Sequence, residues 1–106
     1  MENDHVIEIL LAEDSPADVR LNQEALKESN IRTNLSVVND GLEVMAFLHK
    51  RDNFADAPMP DVILLDLNMP RMGGREVLAE MQQHDELKVV PVVVLTNSSE
   101  DSDVLD

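Results

Sequence analysis

The stretch DVILLDLNMP, residues 61–70, decides the fold. Four aliphatic residues, Val62 to Leu65, run between two acids, Asp61 and Asp66, and the chain then turns into Leu67-Asn68-Met69-Pro70. A short, unbroken apolar run bounded by turn signals reads as a strand buried on both faces. Asp66 closes that run at the rim of a dry core. A carboxylate stays ionised there only if something compensates its charge.

The segments on either side repeat the pattern. Val6–Ala12 (VIEILLA) is another apolar strand, stopped by Glu13-Asp14-Ser15-Pro16. Asp14 or Ser15 can cap a following helix, with Pro16 in its first turn. Ala17–Asn30 carries Val19, Leu21, Ala25 and Leu26 at helical spacing. Asn34–Val38 is a strand, Asn39-Asp40-Gly41 a turn and cap, and Leu42–Arg51 a helix with Leu42, Met45, Ala46 and Leu48. A polar, proline-containing loop, Asp52–Pro60, leads into the strand Asp61–Leu67. After the turn Met69–Gly74, Glu76–Gln83 is a helix with Val77, Leu78 and Met81 inward. Pro91–Thr96 is a fourth strand. Asn97–Asp106 opens as a Ser/Asp-rich cap in which Val104 and Leu105 begin a further helix.

Strands alternating with helices, and strands that are near-continuously apolar, give an α/β fold with a parallel sheet covered on both faces. Ligand crevices in such sheets lie beyond the carboxyl ends of the strands. That rule gathers Glu13, Asp14, Asp66 and Thr96 at one pole, because each stands at the end of a strand.

At 106 residues the chain is one domain. It is 43% hydrophobic but only 2% aromatic, so its core is aliphatic. The net charge of −14 repels nucleic acid and anionic membrane and suits a basic partner surface or bound cations. Without cysteine there is no disulfide or thiol chemistry. The acidic N-terminus lacks the basic start and the long apolar run of a signal peptide or membrane span, so the expected location is the cytoplasm.

Three carboxylates at one pole repel one another, and Mg2+ relieves this: it takes oxygen ligands and is commonly held by one or two carboxylates plus a phosphate. Asp66 can then remain ionised and attack phosphorus to form an aspartyl phosphate. Such a transfer needs positioning and charge neutralisation more than elaborate covalent chemistry. The Thr96 hydroxyl can donate to a phosphoryl oxygen, with backbone amides after Asp66 and Thr96 as further donors. Each residue also has a plainer reading: the acid pair as a helix cap, Thr96 as a β-former, Asp66 as a turn initiator. The order acid pair, Asp-x-x-Met-Pro, Thr argues against all three at once.

In ILLAEDSPADVRL, DVILLDLNMPRMGG and PVVVLTNSS the chain resembles the receiver domain of two-component response regulators, over essentially its whole length. The opening EDSPADVRLNQEALKE and the extended loop before Asp61 resemble single-domain regulators paired with bacterial phytochrome kinases. The resemblance implies a flavodoxin-like (CheY-like) sheet in the order 2-1-3-4-5. It implies Asp66 as the phosphorylation site and Glu13 and Asp14 as the acidic pair. Asp14 and Asp66 would bind Mg2+ directly and Asn68 would lend its backbone carbonyl. Thr96 would be the switch hydroxyl and Gly74 the glycine that closes the turn. The implied partners are a sensor histidine kinase, of phytochrome type on the finer match, and a downstream protein. The implied role is signalling and not enzymatic turnover.

The family continues into a fifth strand and helix, and the fifth strand ends in a Lys-Pro pair whose Lys meets the phosphoryl group. This sequence carries neither. The expectation is therefore a single receiver domain over residues 1–106, C-terminally incomplete, with strand order 2-1-3-4. Lys27, Lys50 and Lys88 fall at the opposite pole, which leaves Arg71 as the one nearby cation to consider, beside its plainer reading as a solvated loop arginine. A bare fourth-strand edge predicts a homodimer or higher oligomer. Two other functions fit parts of the pattern. One is a phosphorylation-deficient receiver that acts only by protein association. The other is a phosphatase of the haloacid dehalogenase type, which carries a second acid where Asn68 stands. His5, His49 and His84 read as scattered surface or helix-end histidines. Met45, Met69, Met72 and Met81 read as packing, and the tail EDSDVLD as a helix cap lacking calcium-loop spacing.

Overall fold

The computed structural model of the chain describes residues 6–95. Four strands, β1 (Ile7–Ala12), β2 (Thr33–Val38), β3 (Val62–Asp66) and β4 (Val92–Leu95), form one sheet in the order β2-β1-β3-β4. Every pairing is parallel. The registers set Leu11 against Val37 and Leu64, Ala12 against Val38 and Leu65, and Asp66 against Leu95. The opening stretch explains the β1–β3 pairing at both ends. Asp61 accepts the Glu8 N–H on its carboxylate at 2.8 Å and donates its own N–H to the Glu8 carbonyl at 2.7 Å. Asp66 is left at the far end, where the ladder stops.

The crossovers are α1 (Pro16–Glu28), α2 (Gly41–Leu48), and α3 (Gly74–Met81) followed by the short α4 (Asp85–Lys88). Ser15 caps α1, its Oγ accepting the Asp18 N–H at 3.4 Å, with Pro16 in the first turn as expected. Asp40 caps α2, accepting the Glu43 N–H at 2.9 Å. Glu76 reaches back from α3 to accept the Gly73 N–H at 3.0 Å.

Period-2 alternation divides the strand residues between two faces. Leu10, Ala12, Ile63 and Leu65 join Val44, Phe47 and Leu48 of α2, Val77 and Met81 of α3 and Leu87 of α4 in the main core. Ile9 and Leu11 are buried on the α1 face. That face thins outward: Leu11 is 0% exposed, Leu64 half-buried, and Val93 49% exposed. α1 itself has no fully buried residue, and Leu21, periodic in sequence, is 67% exposed.

The elements fall where the sequence predicts them, with ends moved by one to three residues. Two pieces escape it. The loop after α2 contains a 3-10 turn, Asp52–Phe54, and α4 is a separate four-residue helix. Neither is long enough to show a periodicity. Thr96 and the start of a helix near Val104 and Leu105 lie outside the described residues. No helix among the described residues is long and apolar enough to cross a membrane.

Candidate phosphoacceptor site

The parallel sheet brings Glu13, Asp14 and Asp66 together at the carboxyl pole. One oxygen from each lies within 4.8 Å of the others. Their environments differ. Glu13 and Asp66 are each only 3% exposed, whereas Asp14 faces solvent. Glu13 follows β1 directly, its N–H held by the Val38 carbonyl at 3.0 Å, and its carboxylate accepts the Ser15 N–H at 3.1 Å. Asp66 accepts the Asn68 N–H at 3.0 Å. Asn68 itself is exposed. Gly74 closes the turn as expected: its N–H meets the Leu67 carbonyl at 3.1 Å, and a β-carbon there would stand 2.8 Å from the Asp66 carbonyl oxygen.

Burial raises the Glu13 carboxyl from 4.5 to about 7, opposed by the Ser15 N–H and reinforced by the charge and hydrogen bond of Asp66. The pocket thus holds more negative charge than a half-dry space tolerates. An all-oxygen donor set of three carboxylates suits a hard divalent ion.

The same shift predicts a pH effect on stability. Between pH 4.5 and about 7 the folded chain binds a proton at Glu13 that the unfolded chain has released. For this group stability is therefore greatest below 4.5 and falls as pH rises through about 7. Urea midpoints of the metal-free chain from about pH 5 to about pH 8 should show this fall. Saturating Mg2+ should flatten it, because a cation favours the ionised acid, and Glu13→Gln should remove it. A Glu13→Gln profile parallel to the parent's contradicts the assignment.

Arg71, the one nearby cation in the sequence and otherwise read as a solvated loop arginine, pairs with neither Asp66 nor solvent alone. Its Nε donates to Asp40 Oδ2 at 2.9 Å, and its Nη2 pairs with the same oxygen. Burial pushes the Asp40 carboxyl up, but the Glu43 N–H and the Arg71 guanidinium outweigh this and hold it below 3.8. Asp40 therefore contributes stability that is lost only as pH falls through its lowered pKa, outside the Glu13 window. Asp40, seen in sequence only as a cap, in fact clasps the loop after Asp66 to the start of α2. The Asp40–Arg71 pairing carries no sequence signal, since the partners are far apart in the chain.

The response regulator receiver domain family matches residues 9–106. The chain belongs to that family. Receiver domains are the phosphorylation-responsive modules of two-component signalling. Response regulator Rcp1 of Synechocystis sp. is 54% identical over 97 residues, spanning 92% of this chain and 66% of Rcp1. The receiver described here thus extends over just under two thirds of that relative's length. Among solved structures, the phosphorylated cyanobacterial phytochrome response regulator RcpA matches with a TM-score of 0.83 and 46% identity. The match covers 95% of this chain and 72% of RcpA. The Mn2+-bound form of Rcp1 matches with a TM-score of 0.83 and 52% identity, over 93% of this chain and 71% of that one. The receiver's sheet order agrees with these folds, and the Rcp1 form establishes a divalent cation in a near relative.

Proposed function

We propose that this receiver accepts a phosphoryl group on Asp66 from a histidine kinase, with Mg2+ as the resident ion. The observation that carries the reading is the buried Asp66 beside Glu13 and Asp14, with an oxygen of each within 4.8 Å of the others. Asp14, Asp66 and the Asn68 carbonyl would hold the ion, with Glu13 behind them. When bound, Mg2+ supplies the positive charge that keeps Asp66 ionised and screens the phosphoryl oxygens.

The remaining chemistry belongs to the chain. An Asp66 oxygen attacks phosphorus, a P–O bond forms, and the P–N bond to the donor imidazole breaks. The imidazole leaves with the electron pair and takes up a proton. The Asn68 N–H, already on the Asp66 carboxylate, fixes its orientation. Thr96 follows β4 directly in sequence, and its hydroxyl donates to the phosphoryl group and reports its arrival to the surface beside β4. RcpA and the bacteriophytochrome regulators among the similar structures support a phytochrome-type kinase as donor. The protein is a cytoplasmic signalling module whose output is binding to another protein. The test is intact mass after Mg2+ and a small-molecule phosphodonor: one phosphoryl group per chain is expected. No adduct on a folded, Mg2+-binding chain overturns the reading.

A second reading, association as the output, is favoured by β4. Among the described residues it pairs only with β3, and Val93 and Val94 are 49% and 43% exposed, one on each face. Such a strand is a template for pairing. Sedimentation velocity should find a dimer at micromolar chain concentration, and Val93→Lys should shift it toward monomer. A monomeric parent with a cooperative melt contradicts this reading and leaves phosphoryl transfer untouched.

A further inference from the structure

His49, Glu80 and His84 stand at the pole opposite Asp66, where α2 and α3 end. In sequence the two histidines are far apart and neither has a histidine partner at ligand spacing. The packing of α2 against α3 brings them together. His49 caps α2, its N–H on the Met45 carbonyl at 2.9 Å. His84 follows α3, its N–H on the Met81 carbonyl at 3.2 Å. The two rings meet edge to face with centroids 4.8 Å apart. Glu80 precedes His84 by four residues, and its Oε2 lies 3.4 Å from His84 Nε2. One donor atom from each of the three side chains lies within 4.8 Å of the others.

An ion pair between Glu80 and a protonated His84 accounts for one contact. It leaves unused the second imidazole, which meets the first edge to face and brings a third donor atom within 4.8 Å of the other two. Two imidazoles and one carboxylate are the donor set of a zinc site with three protein ligands and an open fourth position. Tetrahedral zinc with bonds of about 2.0–2.1 Å sets its donors about 3.3 Å apart. Closing the cluster therefore needs the widest pair to approach by at most about 1.5 Å, a rotamer adjustment for half-exposed side chains. The chain's net charge of −14 draws cations to its whole surface.

We infer that His49, Glu80 and His84 form a second metal site, selective for zinc-class transition ions. It is distinct in chemistry and place from the all-oxygen pocket around Asp66. Imidazole nitrogen suits borderline ions, whereas the carboxylate pocket suits hard ones. An ion here ties the ends of α2 and α3 together and leaves one coordination position for water or a partner's ligand.

The test is Zn2+ titration of the full 106-residue chain with Mg2+ in excess to fill the carboxylate pocket. One Zn2+ per chain is expected, with a rise in melting temperature of about 5 °C or more. Co2+ in its place should give the strong visible absorption of a four- or five-coordinate site with nitrogen ligands. His49→Gln and His84→Gln should each weaken Zn2+ binding about tenfold or more, since even a supporting partner of a ligand is worth that much. Asp66→Asn should leave it unchanged. Circular dichroism of each variant separates ligand loss from misfolding. The inference is overturned by no zinc binding in the parent, by equal binding in the double histidine variant, or by loss of binding in Asp66→Asn.

Discussion

Asp66→Asn takes up no phosphoryl group from a small-molecule donor under conditions in which the parent chain is fully loaded. The amide keeps the shape of the carboxylate and can still meet the Asn68 N–H that the acid accepts at 3.0 Å. What it lacks is the anionic oxygen that attacks phosphorus, and removing an attacking group costs about 10⁴-fold or more in rate. Neither neighbour takes over. Glu13 is 3% exposed and raised to about 7, so near neutral pH it carries a proton for much of the time. Asp14 is exposed and lacks the buried, oriented setting that Asp66 has at the end of β3. The substitution also removes one charge from the cluster. Burial is the larger cause of the Glu13 shift and persists, so the carboxyl falls only part of the way back toward 4.5. The metal-free variant should accordingly show a shallower loss of stability toward neutral pH than the parent. Intact mass reads the first effect and urea midpoints the second. An adduct that survives in Asp66→Asn removes Asp66 from its role whatever the pH profile shows.

The sequence made this pole legible because position in a parallel sheet is nearly one-dimensional information. A run such as Val62–Leu65 has to be a buried strand, its last residue has to face the carboxyl end, and the other strand-end acids have to share that end. Glu13, Asp14 and Asp66 follow without knowledge of any contact. Everything that depends on how helices rotate and meet was out of reach. Leu21 has helical spacing yet lies 67% exposed, because the period of α1 does not say how much sheet it covers. Arg71 follows Asp66 closely and looks available to it, but a left-handed backbone (φ 67°) swings its side chain onto Asp40. His49 and His84 look unrelated until α2 and α3 pack. The Arg71 and histidine cases concern tertiary contacts between residues far apart in the chain, for which neither period nor motif leaves a mark.

Gly41→Ala should cost about 3 kcal/mol of folding stability, although alanine is by far the better helix former. Gly41 opens α2, and on propensity alone the change should gain up to about 1 kcal/mol. Its surroundings reverse the sign. The Gly41 N–H donates to the Met72 carbonyl at 3.0 Å. A β-carbon on Gly41 would stand 2.2 Å from that same oxygen and 2.7 Å from the Met72 β-carbon. Ordinary contact begins near 3.4 Å, so backbone must move by more than an ångström. Overpacking of this kind costs about 1–3 kcal/mol and the strained hydrogen bond about 1 kcal/mol more. Neither side of the contact is free to yield. Asp40 is fixed beside Gly41 by its cap on α2 and by Arg71, and Arg71 is fixed next to Met72 by the same pair. Gly73→Ala is the control. The nearest atom to its added β-carbon is the Leu67 carbonyl oxygen at 3.4 Å, and its φ of −78° suits any residue. The lost preference for glycine as a cap and the gain from a less flexible unfolded chain offset each other to within about 1 kcal/mol. Urea denaturation of the two variants against the parent decides the matter. If Gly41→Ala is as stable as Gly73→Ala, the loop after Asp66 is not clasped to α2 at Met72. If it falls as expected, the loop that carries Asn68 is held by Gly41, about a quarter of the chain away from the acid it serves.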